Sequence, residues 1–328
     1  VTRADAAPTP CDHHESRYSL AHRGTTKNGL LVTSPSAPDP LDAIRRLPLW
    51  QGPITIEPLQ GGITNRNYTV TDAGRRTVVR LGGDIPVHGI MRFNEHAASR
   101  AAAAAGISPP VLHAEPGILV IGHIDGRSFG PEDVRAERAR CVALMARVHR
   151  EVAAHLRGPV LSFNVFHILR DYGHTLTEGQ SRHLPALPRL LAIGEALEKG
   201  AGRIELVFGH NDLLAGNFID DGQRLWLVDW DYAGFNTPLF DLGGLSSNNG
   251  FSPEDDTAML EAYYQVSATD DLRRRFQAML AASLLRETLW SMVSELHSTL
   301  DFDYAAYTAE NLKRFEAAHA LFQEMTRS

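Results

Sequence analysis

Lysine is almost missing from this chain. Its 328 residues include 32 basic ones, and only Lys27, Lys199 and Lys313 are lysines; the other 29 are arginines. No lysine lies between Lys27 and Lys199, so any chemistry needing an ammonium group from that span is excluded. Cysteine is scarcer, with only Cys11 and Cys141. Two distant cysteines make neither a disulfide framework nor a zinc site. Cys141 falls within the apolar-periodic stretch 134–155, the usual setting of a buried, inert thiol. A reducing, cytoplasmic setting is therefore expected. The sequence has no run of 18 apolar residues, so membrane insertion is not expected. It also has no charged-then-apolar leader pattern at its start. Excess positive charge is absent too. The 39 acidic residues outnumber the basic ones and give a net charge of -7. Bulk attraction to nucleic acid or to an anionic membrane is not expected.

What is present suffices for a large core, since 43% of the residues are hydrophobic. The length suits one large or two modest domains. Residues 1–40 are rich in Pro, Ser, Thr, Asp and His without periodicity, and read as a disordered tail. Its Cys11-Asp12-His13-His14 cluster has metal-ligand chemistry but no second ligand pair, so no metal site is expected.

Residues 41–122 read as short strands plus one helix, the simplest packing being a small sheet. Ile54–Leu59, Asn67–Thr71 and Thr77–Leu81 are strand-like, and Asp72-Ala73-Gly74 is a hairpin turn. Met91–Ala105 is alanine-rich and helical, with Gly106 as its stop. Ile118–Ile121 is a buried-strand run, followed by a connector near residues 122–126. From Pro131 helices dominate, interrupted by two short strands, Asn217–Ile219 and Leu225–Val228. Asp301 is a candidate cap between the last two helices. The expected architecture is α+β, with a small β-rich lobe (41–122) and a larger helical lobe (123–328). Clefts between lobes favour ligands. Nothing in the composition selects an oligomeric state.

The most informative segment is His210-Asn211-Asp212-Leu213-Leu214-Ala215-Gly216-Asn217, followed by Leu227-Val228-Asp229-Trp230-Asp231. An Asp, an Asn five residues later, a strand pair and another Asp make the spacing of a kinase catalytic loop with its metal site. The first carboxylate meets an attacking hydroxyl. The amide oxygen turns back toward a magnesium ion, and the second carboxylate bridges that metal to the phosphates. Mg2+ wants hard oxygen ligands, which Asn217 and Asp229 supply.

These two motifs resemble those of the aminoglycoside phosphotransferase and choline kinase superfamily. The longer run Val228–Asn236, continuing to Phe240-Asp241-Leu242-Gly243, resembles the choline/ethanolamine kinase branch. The resemblance runs from about residue 50 to the C-terminus. It implies a protein-kinase-like, two-lobed fold that uses ATP and Mg2+. Asp212 would be the catalytic base or hydroxyl-orienting group, Asn217 and Asp229 would hold the metal, and His210 would shape the loop. The loop Gln60-Gly61-Gly62-Ile63-Thr64-Asn65 stands where a phosphate-covering loop belongs, so Gly61, Gly62, Thr64 and Asn65 would meet the nucleotide. With no lysine available, Arg80 at the end of its strand would take the phosphates, as arginine does in choline kinases. Glu95 would be its ion-pair partner. Adenine would lie against the connector Ile121–Ile124, with Ile124 among its contacts.

The acceptor implied is a small cationic alcohol. Trp290 and Tyr307 would line its pocket, stabilising a cation by roughly 0.5–2 kcal/mol per ring. Many choline kinases carry an aromatic where this chain has Glu287. A carboxylate pairs with a primary ammonium, whereas a quaternary ammonium has no N–H and depends more on aromatic faces. Ethanolamine or another amino alcohol is therefore credible. Asp231 would add negative potential near the acceptor or order the loop, and Asp241 would order the loop. A kinase for an aminoglycoside, thiamine or another metabolite remains an alternative. So does a catalytically inactive nucleotide-binding protein.

Overall fold

Alternating apolar residues and tight turns build an antiparallel sheet at the N-terminal end of a computed structural model that describes residues 39–59 and 65–327. The tail cluster Cys11-Asp12-His13-His14 and the loop residues Gly61, Gly62 and Thr64 lie outside the described residues. A short helix, α1 (Pro40–Arg45), precedes the strands β1 (Ile54–Leu59), β2 (Arg66–Asp72) and β3 (Arg75–Leu81). Helix α2 (Arg92–Ala104) follows, then β4 (Val111–Glu115) and β5 (Ile118–Gly122). These strands form one sheet in the order β1-β2-β3-β5-β4. Register places Arg80 of β3 opposite Asn67 of β2 and Leu119 of β5, which fixes the arginine near the middle of the sheet. Ile44, Leu47, Val70, Val79, Ile118 and Val120 make a separate small core for the sheet. Helix α1 was not anticipated; six residues are too few for a periodic signal, and the sheet stabilises it by burying Ile44.

The helical side begins with β6 (Arg127–Ser128), α3 (Pro131–Ala136) and α4 (Arg138–Glu151), so the single long helix expected from Pro131 is broken at Glu137. Then come α5 (Val165–Glu178), α6 (Leu187–Ala201), β7 (Val207–Gly209), β8 (Phe218–Asp220), β9 (Leu225–Leu227) and β10 (Gly234–Asn236). The last four helices are α7 (Pro238–Asn249), α8 (Pro253–Tyr264), α9 (Asp270–His297) and α10 (Tyr304–Arg327). Helix α9 is the axis of this side. It packs against α5, α6, α7 and α10, and is apolar on most faces, as a helix surrounded by others must be. Among the described residues no helix is long and apolar enough to cross a membrane. Asp301 does not cap the last helix. Asp303 does, its carboxylate accepting the Ala306 N–H at 2.9 Å, because α10 starts two residues later than the capping pattern suggested. Sheet and helices belong to one compact unit that begins at Pro40.

Candidate active site

The segment 210–217 leaves strand β7 as an irregular stretch whose start is tied to one buried carboxylate and which ends in a short 3-10 turn, Ala215–Asn217. Asp241, in the first turn of α7, accepts the N–H groups of His210 at 2.8 Å and Asn211 at 2.7 Å, and the His149 Nε2 proton at 2.9 Å. Burial opposes its charge, but these donors outweigh it and hold its pKa below the usual carboxylate range. Asn211 has a left-handed backbone, φ 66°, which Asn tolerates better than most residues. Its amide donates to the carbonyls of Tyr232 at 3.0 Å and Gly234 at 3.2 Å. Gly209 has no side chain for a steric reason: a Cβ there would lie 2.8 Å from Asp241 Oδ2. His210 is fully buried and fully bonded. Its Nε2 donates to the Val228 carbonyl at 2.9 Å, and its Nδ1 accepts the Asp212 N–H at 3.3 Å. These bonds bring Asp212 and the strand end before Asp229 into one frame.

Asp212 is half-buried. Burial, reinforced by the Asp229 charge, pushes its pKa up to about 8. Asn217 donates through Nδ2 to the Asp212 carbonyl at 2.8 Å, which leaves Oδ1 as the atom for a cation. Asp229 has φ 71°, a strained conformation for a non-glycine residue. Between the two acidic residues of the segment 229–231, Trp230 turns inward against the His210 ring, 4.8 Å away, and donates to Ser108 Oγ at 2.8 Å.

On the sheet side, two arginines and three carboxylates form a buried cluster. Arg80 contacts Glu95 at 2.8 Å, Asp229 at 2.5 Å and Asp231 at 3.3 Å. The contact with Asp229 is made through its buried Oδ1. Arg92, three residues before Glu95 on α2, reaches Glu95 at 2.6 Å and Asp231 at 2.9 Å, and its Nε donates to the Gly83 carbonyl at 2.8 Å. Asn65 donates to Asp231 at 2.8 Å. Burial works against the Arg80 charge, yet Asp229, Asp231 and Glu95 outweigh it and raise its pKa. Burial likewise opposes the Asp231 charge, but the two guanidinium groups prevail and hold that carboxyl below its usual range.

On the far side of Asp212 lies a cavity lined by Asn211, Asp212, Arg286 and Glu287 among others. The Arg286 guanidinium sits over the Tyr232 ring, 4.3 Å from its centroid, and 5.5 Å from that of Phe163. It donates to Glu287 at 2.8 Å, and the Tyr307 hydroxyl donates to the other oxygen of Glu287 at 2.8 Å. Trp290 donates to the Tyr232 hydroxyl at 2.9 Å and lies 6.3 Å from Tyr307, edge to face. The His88 ring is 5.0 Å from Trp290 and tilted by only 32°, so it covers one indole face.

Against known proteins, residues 55–278 match the model of the phosphotransferase enzyme family. The chain belongs to that family. LicA from Haemophilus influenzae is 27% identical over 282 residues, covering 81% of this chain and 79% of that protein. Ethanolamine kinase 2 from Mus musculus is 26% identical over 313 residues, covering 85% and 80%. The crystal structure of a choline/ethanolamine kinase family protein from Mesorhizobium loti is 30% identical, with a TM-score of 0.68 over 85% of this chain and 94% of that one. The protein is thus an ATP-dependent phosphotransferase with a protein-kinase-like fold. Its relatives set it beside the choline and ethanolamine kinases, the branch that residues 228–236 resemble.

In this phosphotransferase the residues anticipated from sequence fall into two groups. Asp212, Asn217, Asp229, Arg80 and Glu95 converge around the catalytic loop. Glu287 lines the cavity beside Asp212, and Tyr307 and Trp290 gather behind it. Asp231 sits elsewhere than an acceptor contact would: it is 3% exposed and bound by Arg80, Arg92 and Asn65. Asn65 faces Asp231, and Ile124 is half-buried in the connector after β5. Sequence reasoning missed Arg92, although its i,i+3 spacing to Glu95 in a lysine-free stretch was a usable signal. It also gave no role to Arg286.

Proposed function

We propose that this enzyme transfers the γ-phosphoryl group of ATP to the hydroxyl of a small cationic alcohol, as choline and ethanolamine kinases do. One observation carries the reading. Asp212, Asn217 and Asp229 are presented by a single loop and hairpin, between a buried arginine cluster on one side and a cavity lined by Asp212, Asp241 and Glu287 with Arg286 on the other. Asp212 orients the acceptor hydroxyl and takes its proton. The hydroxyl oxygen forms the new bond to the γ-phosphorus as the bond to the β-bridging oxygen breaks, and ADP leaves. Positioning and charge compensation carry the rate.

The residues present fit Mg2+. Asp229 offers its carboxylate, whose Oδ1 is contacted among the described residues by Arg80 alone, and Asn217 offers its amide oxygen. Among the described residues no three His, Cys, Asp or Glu side chains form a metal site. That suits a cation held by one carboxylate, one amide and the nucleotide phosphates. When bound, Mg2+ neutralises charge on the phosphates. Arg80 supplies phosphate contacts from the sheet, and Asp231 holds the two arginines in place.

Glu287 is matched by Arg286, and Asp241 is bound by His149 and two backbone N–H groups, so Asp212, once ionised, leaves the acceptor side one positive charge short. A cationic acceptor supplies that charge and draws the Asp212 pKa down, toward the ionised form that a base requires. Each Glu287 oxygen keeps a lone pair beyond its bond to Arg286 or Tyr307, which an ammonium N–H can use.

An ADP-release assay with choline, ethanolamine, thiamine and aminoglycosides tests this. The expected result is turnover of an amino alcohol. Asp212→Ala is expected to cut turnover by about 10²–10⁴ while ATP binding persists. Phosphorylation of an aminoglycoside alone, or a fully active Asp212→Ala enzyme, would overturn the proposal. ATP binding without turnover of any acceptor would favour an inactive nucleotide-binding protein.

A further inference from the structure

A quaternary ammonium needs open aromatic faces, because it has no N–H to donate. The acceptor side of this enzyme is rich in rings, yet three of them, Tyr232, Phe163 and Trp290, are already engaged. Tyr232 has the Arg286 guanidinium over its face at 4.3 Å. Phe163 faces the same guanidinium at 5.5 Å. Trp290 is 6% exposed, with His88 against one face and its Nε1 spent on the Tyr232 hydroxyl. His88 is itself fixed, 3.0 Å from Ser294 Oγ and 3.3 Å from the Tyr172 hydroxyl. The aromatic cage therefore already contains a cation, and that cation is a side chain of the enzyme.

Glu287 reports the other half of the arrangement. Held by Arg286 and Tyr307 at 2.8 Å each, its carboxylate is locked in orientation and still 24% exposed. It lines the same cavity as Asp212. A head group placed against this carboxylate meets an acceptor of N–H bonds and, behind it, a guanidinium that repels positive charge lacking such bonds.

We infer that Arg286 is a specificity-determining residue: by filling the Tyr232–Phe163 cage it makes the enzyme read its acceptor's cation through N–H bonds to Glu287, selecting primary amino alcohols over quaternary ones. The inference rests on the amino-alcohol reading above and refines it. Arg286 does not touch the reacting atoms; its effect is on which head group is admitted.

The test is kcat/KM for ethanolamine, its N-methyl and N,N-dimethyl derivatives, and choline. In the unaltered enzyme kcat/KM should fall along that series, by at least about tenfold overall, chiefly through KM. Arg286→Lys, which keeps the cation, should keep the order. Arg286→Met, which empties the cage of charge, should narrow the ethanolamine-to-choline ratio by at least about tenfold. A flat series, a preference for choline, or an unchanged ratio in folded Arg286→Met would overturn the inference. The methyl series needs no variant, so it decides the matter even if Arg286→Met does not fold. Turnover of every member at equal efficiency defeats this inference alone. Absence of turnover with all of them, while ATP still binds, defeats the amino-alcohol reading as well.

Discussion

Two buried aspartates, Asp241 and Asp231, organise the two halves of the site in different ways. Asp241 is surrounded by partners that cannot leave: two backbone N–H groups and an imidazole that is itself bonded to Tyr263 at 2.7 Å. Asp231 is surrounded by long side chains, Arg80 and Arg92, which also serve Glu95 and, for Arg80, Asp229. The first arrangement fixes the geometry of a loop. The second stores positive charge in a form that can be redistributed when phosphates arrive. Asp212, the proposed base, is thus held by a rigid frame, and the proposed nucleotide side by an exchangeable one.

Substitutions at the two centres should separate these behaviours. Asp241→Ala leaves two backbone donors and His149 without their buried partner. It should cost about 3–5 kcal/mol and lower the melting temperature by roughly 10 °C, with turnover falling in parallel. A variant with unchanged melting would break the comparison. Arg80→Ala should act on affinity instead. Losing charge-assisted contacts of about 1.5–3 kcal/mol corresponds to a rise in the KM for ATP of roughly tenfold to a hundredfold. Arg92→Met should shift the KM for ATP in the same direction by less, since Arg92 reaches carboxylates but is a step further from Asp229. Equal effects on KM and melting temperature at Asp241 and Arg80 would erase the distinction.

The smallest effect concerns Asp212 and pH. Its folded pKa of about 8 lies above the ordinary 3.8. Below about pH 4 the group is neutral in both folded and unfolded chains and costs nothing. As pH rises toward 8, the unfolded chain gains from ionisation and the folded protein does not, so stability is lost across that window. In nucleotide-free protein, Asp212→Asn should therefore raise the melting temperature by a few degrees at pH 8 and leave it unchanged at pH 4. The same gain at both values would show that the carboxyl is not held up.

The rigid frame was also the more legible of the two. Asp212, Asn217 and Asp229 lie within eighteen positions of one another, and their spacing is set by one loop and one hairpin. Arg80 and Glu95 were found because a strand and the next helix leave few choices in a span without lysine. Arg92 escaped notice because its decisive partner, Asp231, is 139 residues away and is met only through tertiary packing. Arg286 was hidden for a related reason: the rings around it come from Phe163 and Tyr232, each on a different segment. For Asp231 the sequence leaves two readings open, an acceptor contact or an ordering role, because it shows the neighbours of Asp231 but not which way each side chain turns; in the structure it binds Arg80, Arg92 and Asn65. The break at Glu137 and the late start of α10 are boundary effects, decided by packing rather than by propensity.

Trp230 gives the segment between the two metal-side aspartates a mechanical meaning. Its indole hangs from Ser108, whose own hydroxyl donates to the Leu227 carbonyl at 2.5 Å, while Val228 is stitched to Asn217 at 3.0 Å and to His210 at 2.9 Å. Residues 227–231 are therefore an axle mounted in both halves of the protein. Val228, the residue before Asp229, is thereby tied to Asn217 and His210, which flank Asp212. The spacing between Asp212 and Asp229 is thus set by hydrogen bonds within residues 210–228, independently of the packing of more distant elements.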